Sequence, residues 1–489
     1  MAFFSGKFLI DFCRRAAVWK ASLIGGVVTV FLIGGCATYH PMPLTQDAVH
    51  AKLQPPDMAE LRILASEINH PILHPVELKP NEGLSPDGAA VLAVLLNPSL
   101  RAVRDQRALS SAQLLDAGLL PNPELTYSLD VPTGGDTAGR VNAYGLELNW
   151  DVTSLISRAS RIGEAKARKE AIDLDIAWQE WQVAQAAKAA VYQLVSLQNQ
   201  IALAEQVYQR MAQNLAHIQK AVADGSMTAN ARNAAQAANR QANENLLDLE
   251  RQADQQRLQL RRLMGLPTDA QIRLSKDINL PPQVELPTGT TLLEGLEQRR
   301  LDLLALRRGY DSQEAAVQVA IMEQFPRIGI GPTISRDTDN IRTTGFNLNI
   351  ELPVFNRNQG KIAREQATRQ KLFDEYVNRV FEAHSDIELL LSGIRFTNEQ
   401  IAAAQAAEPD LGRLVENYRA ALADGRTDAL IYYTAWNDLV STQTKVFALK
   451  GQLAQAVVAL QLATGFYEIP KPSQLPATAP TEPKEERTP

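Results

Sequence analysis

Two cysteines in 489 residues leave almost nothing to cross-link. Cys13 lies in the N-terminal stretch and Cys36 ends it, so the chain beyond has no thiol and no internal disulfide. Stability must therefore come from packing. Histidine is also scarce, at six, and His384 stands alone on its helical pattern. His70 and His74, in HPILHP, are each followed by proline, which argues against a shared helical face; they read as exposed loop residues. No metal site and no set of catalytic residues emerges, and nothing calls for a cofactor. The glycine-rich TGGDTAG has no lysine and opens no helix, so it is no phosphate loop. With 49 Lys and Arg against 55 Asp and Glu, the net charge of −6 offers no basic face to nucleic acid. Long apolar runs are missing too, apart from residues 21–35, which excludes a helical protein of many membrane spans.

That one run is informative. Lys7, Arg14, Arg15 and Lys20 precede it and small residues close it, the order of a secretory signal covering residues 1–35. It ends Leu32-Ile33-Gly34-Gly35-Cys36, which resembles a bacterial lipobox. Cleavage would leave Cys36 as the mature N-terminus carrying a covalent lipid; the alternative is an uncleaved anchor. Ala37 follows, where inner-membrane lipoproteins carry aspartate. Residues 36–84 are proline-rich and weakly periodic, and read as a mostly extended arm with one short helix near residues 58–68.

What is present is alternation. In ELTYSLDV, Leu125, Tyr127, Leu129 and Val131 share one face of a strand, and Glu124, Thr126, Ser128 and Asp130 the other. After PTGGDTAGR, Tyr144, Leu146, Leu148, Trp150 and Val152 alternate with Gly145, Glu147, Asn149 and Asp151. A second hairpin over 327–355 sets Ile328, Ile330, Ile334, Phe346, Leu348, Ile350 and Leu352 against Asn347, Asn349 and Glu351. Strands of about eight to ten residues suit a tilted membrane β-strand. Four strands cannot close a barrel and an open edge is not tolerated in lipid, so copies of the chain must join; three would supply twelve strands. Glu147, Asn149, Asn347, Asn349 and Glu351 are the positions expected to face the water of a pore.

The rest is helical. The stretch from Ser85 reads as one helix with a serine cap, stopping at Pro121. A helix of about 70 residues, roughly 105 Å long, starts near Ser154. Its seam Val183, Ala187, Ala190, Leu194, Leu197, Ile201, Ala204, Tyr208, Met211, Leu215, Ile218, Val222 has the 3.5-residue period of a coiled coil. It turns at Asp224-Gly225 and returns with Ala231, Ala235, Ala238 and Ala242 in the same spacing. Shifted by 200 places the plan repeats, with Asp424-Gly425 at the second turn and a seam from Ile387 to Leu422. Pro409 lies inside the second long helix and is expected to bend it. The chain thus divides into residues 85–265, with a tip near 225, and 290–466, with a tip near 425; a proline-rich tail, 467–489, reads as disordered.

The duplicated order of elements, with LLNPSLRAVRDQ, LLPNPELTYSLD, FPRIGIGPTI, LPVFNRNQGKI and the tips NLAHIQKAVADGSMT and ENYRAALADGRTD, resembles the TolC family of outer-membrane efflux channels. The resemblance covers residues 85–466. It implies a mainly α fold with membrane β: a homotrimer whose helical hairpins form an α-barrel across the periplasm, and a twelve-stranded barrel in the outer membrane of a Gram-negative bacterium. It also implies a periplasmic adaptor and an inner-membrane pump as partners, and passive exit of cargo rather than catalysis. The alternatives, a periplasmic adaptor or a structural envelope-spanning lipoprotein, account poorly for two hairpins plus amphipathic strands. One departure stands out: NWDVTSLISRASRIG lacks the Leu-Pro-Val-Phe turn of the second repeat, leaving that corner undefined. The tips, with Asp224, Gly225, Asp424, Gly425, Arg426 and Asp428, are the expected entrance and docking surface. In a trimer, Asp424 or Asp428 would form an acidic ring, with Arg426 reaching a neighbouring hairpin.

Overall fold

The computed structural model describes residues 37–470, apart from 56 and 80. Cys36, the signal stretch and residues 471–489 lie outside the described residues. Two units separate at residue 54. The first contains one short helix, α1 (Gln46–Leu53), capped by the Thr45 hydroxyl on the amide of Ala48 and with no buried residue.

The second unit begins with α2 (Met58–Ser66), which buries Leu61 and Ala65. Residues 67–79 and 81–84 are irregular chain, with Leu73 and Leu78 buried. The expected extended arm is therefore partly helical and packed. Its apolar side chains, spaced too irregularly to show a period, are each worth about 1.5–3 kcal/mol when fully buried.

The expected single helix after Ser85 is two: α3 (Pro86–Leu96) and α4 (Pro98–Gly118). Pro98 has no amide to donate and steers Asn97 out of helical geometry; Asn97 then caps α4 by accepting from the amide of Ser99. Ser85 caps α3, as its position before the apolar run suggests. Next come β1 (Glu124–Asp130), β2 (Ala143–Asp151), α5 (Thr153–Ala223) and α6 (Ala229–Leu263). A connector carries two short helices, α7 (Gly289–Leu293) and α8 (Leu296–Arg299). The second repeat is α9 (Leu301–Met322), β3 (Arg327–Arg336), β4 (Arg342–Glu351), α10 (Gln359–Ala423) and α11 (Ala429–Thr464).

At 71 residues, α5 is about 106 Å long. Its seam residues Ala187, Ala190, Leu194, Leu197, Ala204, Met211 and Ile218 are buried. Core clusters gather along the helices. One joins Leu61 and Ala65 to α3, α5, Leu260 and Met264; another joins Leu292, Leu296 and Leu303 to α10 and α11; a third joins all four long helices near their turns. The fold does not stop at residue 466. Tyr467 packs edge-on against His74 at 4.4 Å and Ile469 lies against the second cluster, so the first residues of the expected tail belong to the core.

Candidate functional site: the strand sheet and the helical tips

The four strands form one antiparallel sheet in the order β1-β2-β3-β4. Glu147 pairs with Thr126 on one side and Thr333 on the other, and Asn347 lies opposite Gly331. Directly paired residues share a face. One face therefore carries Glu124, Thr126, Ser128 and Asp130, then Glu147, Asn149 and Asp151, then Arg327, Thr333 and Ser335, then Asn347, Asn349 and Glu351. The other carries Leu125, Tyr127, Leu146, Leu148, Trp150, Ile328, Ile330, Ile334, Phe346, Leu348 and Ile350. All five expected pore-facing positions fall on the first face. The Glu147 carboxylate accepts from the Asn347 amide, and Arg327 faces Glu351 at 3.9 Å. Carboxylates dominate: Glu124, Asp130, Glu147, Asp151 and Glu351 against Arg327. β1 and β4 are left as edges.

β2 and β3 keep one register but lose the rungs between Leu148–Asn149 and Gly331–Pro332. Pro332 cannot donate, and the Leu148 carbonyl crowds the gap: a Cβ on Gly331 would lie 1.5 Å from that oxygen. Only glycine fits there. The corner that the sequence left undefined is built around Thr153. Its amide donates to Asp151 Oδ1 at 2.9 Å, and its hydroxyl accepts from the Ile328 amide at 2.6 Å, tying the end of the first hairpin to the start of the second.

The tips stand at the far ends of the long helices, so the strand positions and the tip positions form two separate sites. Gly225 and Gly425 have φ of 75° and 70°, the left-handed geometry that ends a helix. Thr228 caps α6 by accepting from the Ala231 amide, and Asp428 caps α11 by accepting from the Leu430 amide at 3.1 Å. Arg426 pairs with Asp424 of its own turn at 2.5 Å, rather than with the first hairpin. Two residues apart on one tight turn, the partners meet without ordering anything else. Pro409 lies within an unbroken α10; the turn beside it is tied to α11 by Gln443, which donates to Glu408 at 2.7 Å.

The residues that join the two hairpins were missed by sequence reasoning. Tyr432, Tyr433 and Trp436 are buried between α5 and α10. Asn214 donates to the Tyr433 hydroxyl at 3.1 Å, and the Arg210 guanidinium lies 4.9 Å from the Trp436 ring. Burial pushes the Tyr433 phenol up to about 12, so it stays a neutral hydrogen-bonding group. The available clue was YYTAW just after a turn, in a chain only 6% aromatic. Among the described residues no group of three or more His, Cys, Asp or Glu side chains is placed to hold a metal ion.

Residues 292–466 match the family described as outer membrane efflux protein. The matched stretch is the second repeat. It is 22% identical over 398 residues to the cobalt-zinc-cadmium resistance protein CzcC of Cupriavidus metallidurans, covering 80% of this chain and 93% of that one. Its fold is that of the outer-membrane channel OprN, with a TM-score of 0.69 at 18% identity over 88% of this chain and 98% of the other. It is likewise that of the outer membrane protein VceC of Vibrio cholerae, with a TM-score of 0.67 at 18% identity over 78% and 97%. The amphipathic sheet and paired helical hairpins are thus the fold of these outer-membrane proteins.

Proposed function

We propose that three copies assemble into a passive exit duct, with twelve strands in the outer membrane and six helical hairpins below it. The observation that carries this is the sheet itself, apolar on one face, polar on the other and open at both edges. In lipid each unpaired backbone group costs several kcal/mol, and pairing β4 of one copy with β1 of the next removes every edge. A periplasmic adaptor and an inner-membrane pump supply cargo and energy, and the tips are where the adaptor docks. Cys36, lipidated after cleavage, adds an anchor. Cys36→Ser abolishes acyl labelling while the strands still hold the protein in the membrane; labelling that persists removes the lipobox reading. A folded monomer in analytical ultracentrifugation of the detergent-solubilised protein removes the trimer.

The cargo that fits best is hydrated divalent cations. The polar face has five carboxylates to one arginine per copy, and threefold repetition concentrates that field in one lumen. A wide duct passes hydrated ions without an inner-sphere ligand set. The name of CzcC points the same way. A deletion strain is expected to lose tolerance to cobalt, zinc or cadmium and to keep tolerance to dyes and detergents; the opposite pattern overturns the cargo assignment. A gate at the tips is a separate reading, resting on Asp424 and Asp428 recurring around one axis. Because Arg426 is already paired to Asp424, a docking turn suits the geometry better than a lock between hairpins.

A further inference from the structure

His70 is not the exposed loop residue that its proline neighbours suggest. Its side chain is 2% exposed, and both ring nitrogens are engaged. Nδ1 accepts from the amides of Ile72, at 3.1 Å, and Leu73, at 3.0 Å; Nε2 donates to the Ala177 carbonyl on α5 at 3.0 Å. This pattern admits one protonation state. A proton on Nδ1 would point at two N–H donors, so the ring can be held only as the neutral Nε2–H tautomer. The ring's grip sets the turn that sends Leu73 into a cluster with Ala90, Val94, Trp181 and Ala184. Four residues on, His74 meets Tyr467 edge to face.

The charges around the ring are themselves committed. On α5, Glu180 Oε2 lies 3.7 Å from Nε2, too far for a hydrogen bond, while its other oxygen accepts from Arg104 of α4 at 2.6 Å. Arg104 also donates to the Val94 carbonyl of α3, and Arg107 of α4 pairs with Asp173 of α5. Glu180 thus has a full cationic partner without His70, and the two arginines oppose a charge on the ring.

We propose that His70 is an acid-sensitive clasp, holding residues 68–78 on α3 and α5 when neutral and releasing them when protonated. Burial pushes the imidazole below its ordinary value, outweighing the Ala177 bond and Glu180, which favour the charged form. The sign follows. A group whose value is lowered in the closed state supports closure fully above its free value, about 6.5, and loses that support as the pH falls towards the closed-state value. Within that window the closing constant drops by up to about tenfold per pH unit. The ligand of this site is the proton.

The test is hydrogen–deuterium exchange with mass spectrometry on the full-length, detergent-solubilised protein at pH 7.5 and 5.5, corrected for the intrinsic pH dependence of exchange. Peptides spanning 68–78 are expected to lose protection by up to about tenfold on acidification, with the α5–α6 tip peptides unchanged. Unchanged protection at pH 5.5 overturns the proposal. His70→Asn keeps a side-chain acceptor for the two amides but cannot titrate, so its 68–78 peptides should stay protected at both pH values. A loss in His70→Asn equal to that of the native protein places the sensor elsewhere and also overturns it. Should that variant be open at both pH values, the native profile decides: loss confined to 68–78 supports the clasp, and loss spreading along α5 overturns it.

Discussion

The two repeats place the same backbone and fasten it differently. At the base of the first, Asn97 stands before α4 and donates to the Leu263 carbonyl at the end of its own return helix, at 2.9 Å. At the equivalent place in the second, Arg300 stands before α9 and points to the Ala463 carbonyl at 3.4 Å. Arg300 cannot stay buried alone, so Asp302 takes it in two bonds of 2.8 and 2.6 Å, with the Trp178 ring 5.2 Å away. A neutral amide thus does in one half what a buried ion pair does in the other. The long helices diverge as well. α5 is buried along its length by elements of both repeats, whereas α10 buries only Ala383, Ile387, Ile394, Ile401 and Val415. Phe373, Val377, Phe381, Leu389 and Phe396 of α10 are left exposed. Duplication supplied two hairpins; one became the spine of the chain, and the other kept an apolar face to spare.

The fastenings give the largest expected contrast. Asp302→Ala leaves Arg300 buried without its partner and should cost about 3–5 kcal/mol. Asn97→Ala removes one cap and one neutral bond and should cost about 1–2 kcal/mol. Denaturant midpoints of the solubilised protein measure both, and equal losses would mean that the two bases are energetically alike. Next comes the contrast between faces of one strand. Leu348→Arg puts a charge on the apolar face, which the proposed barrel turns to lipid, and should cost about 2–4 kcal/mol near the midplane, seen as lost membrane insertion. Asn349→Arg, one residue on and on the polar face, should insert normally. The smallest effects belong to the tips: Thr228→Ala and Asp428→Ala should each cost about 1 kcal/mol through a lost cap. Arg426→Ala breaks an exposed pair and should cost well under 1 kcal/mol. Single-channel recordings of Asp424→Ala, Asp428→Ala and Arg426→Ala then separate docking from gating, since a gate requires a change in conductance or cation selectivity.

Features set by neighbours along the chain could be read in the sequence; those set by distant partners could not. The strand faces, the seam from Val183 to Val222, the tip glycines and the Thr228 and Asp428 caps all follow from period or from position beside a turn. The break at Asn97-Pro98 was equally local, but the apolar pattern continues through it and hides it. Leu73 and Tyr467 carry no period, because what buries them lies on other elements. His70 was misread for the same reason. Its proline neighbour does exclude a helix, but a turn can be buried, and the Ala177 carbonyl that receives it is 107 residues away. The Tyr433–Asn214 contact spans 219 residues, and only the finished fold brings the two together.

An even number of antiparallel strands has a consequence for biogenesis. Two hairpins return the chain to the side of the sheet from which it came, and they leave the outer strands running in opposite directions. β4 of one copy can therefore accept β1 of an identical copy in the antiparallel sense that the sheet already uses, and the junction looks like any other rung. Three strands would have offered a parallel seam. A lone copy keeps both of these strands as open edges. In the trimer proposed above, insertion and ring closure would therefore be one event, because only the closed ring leaves no backbone edge to lipid.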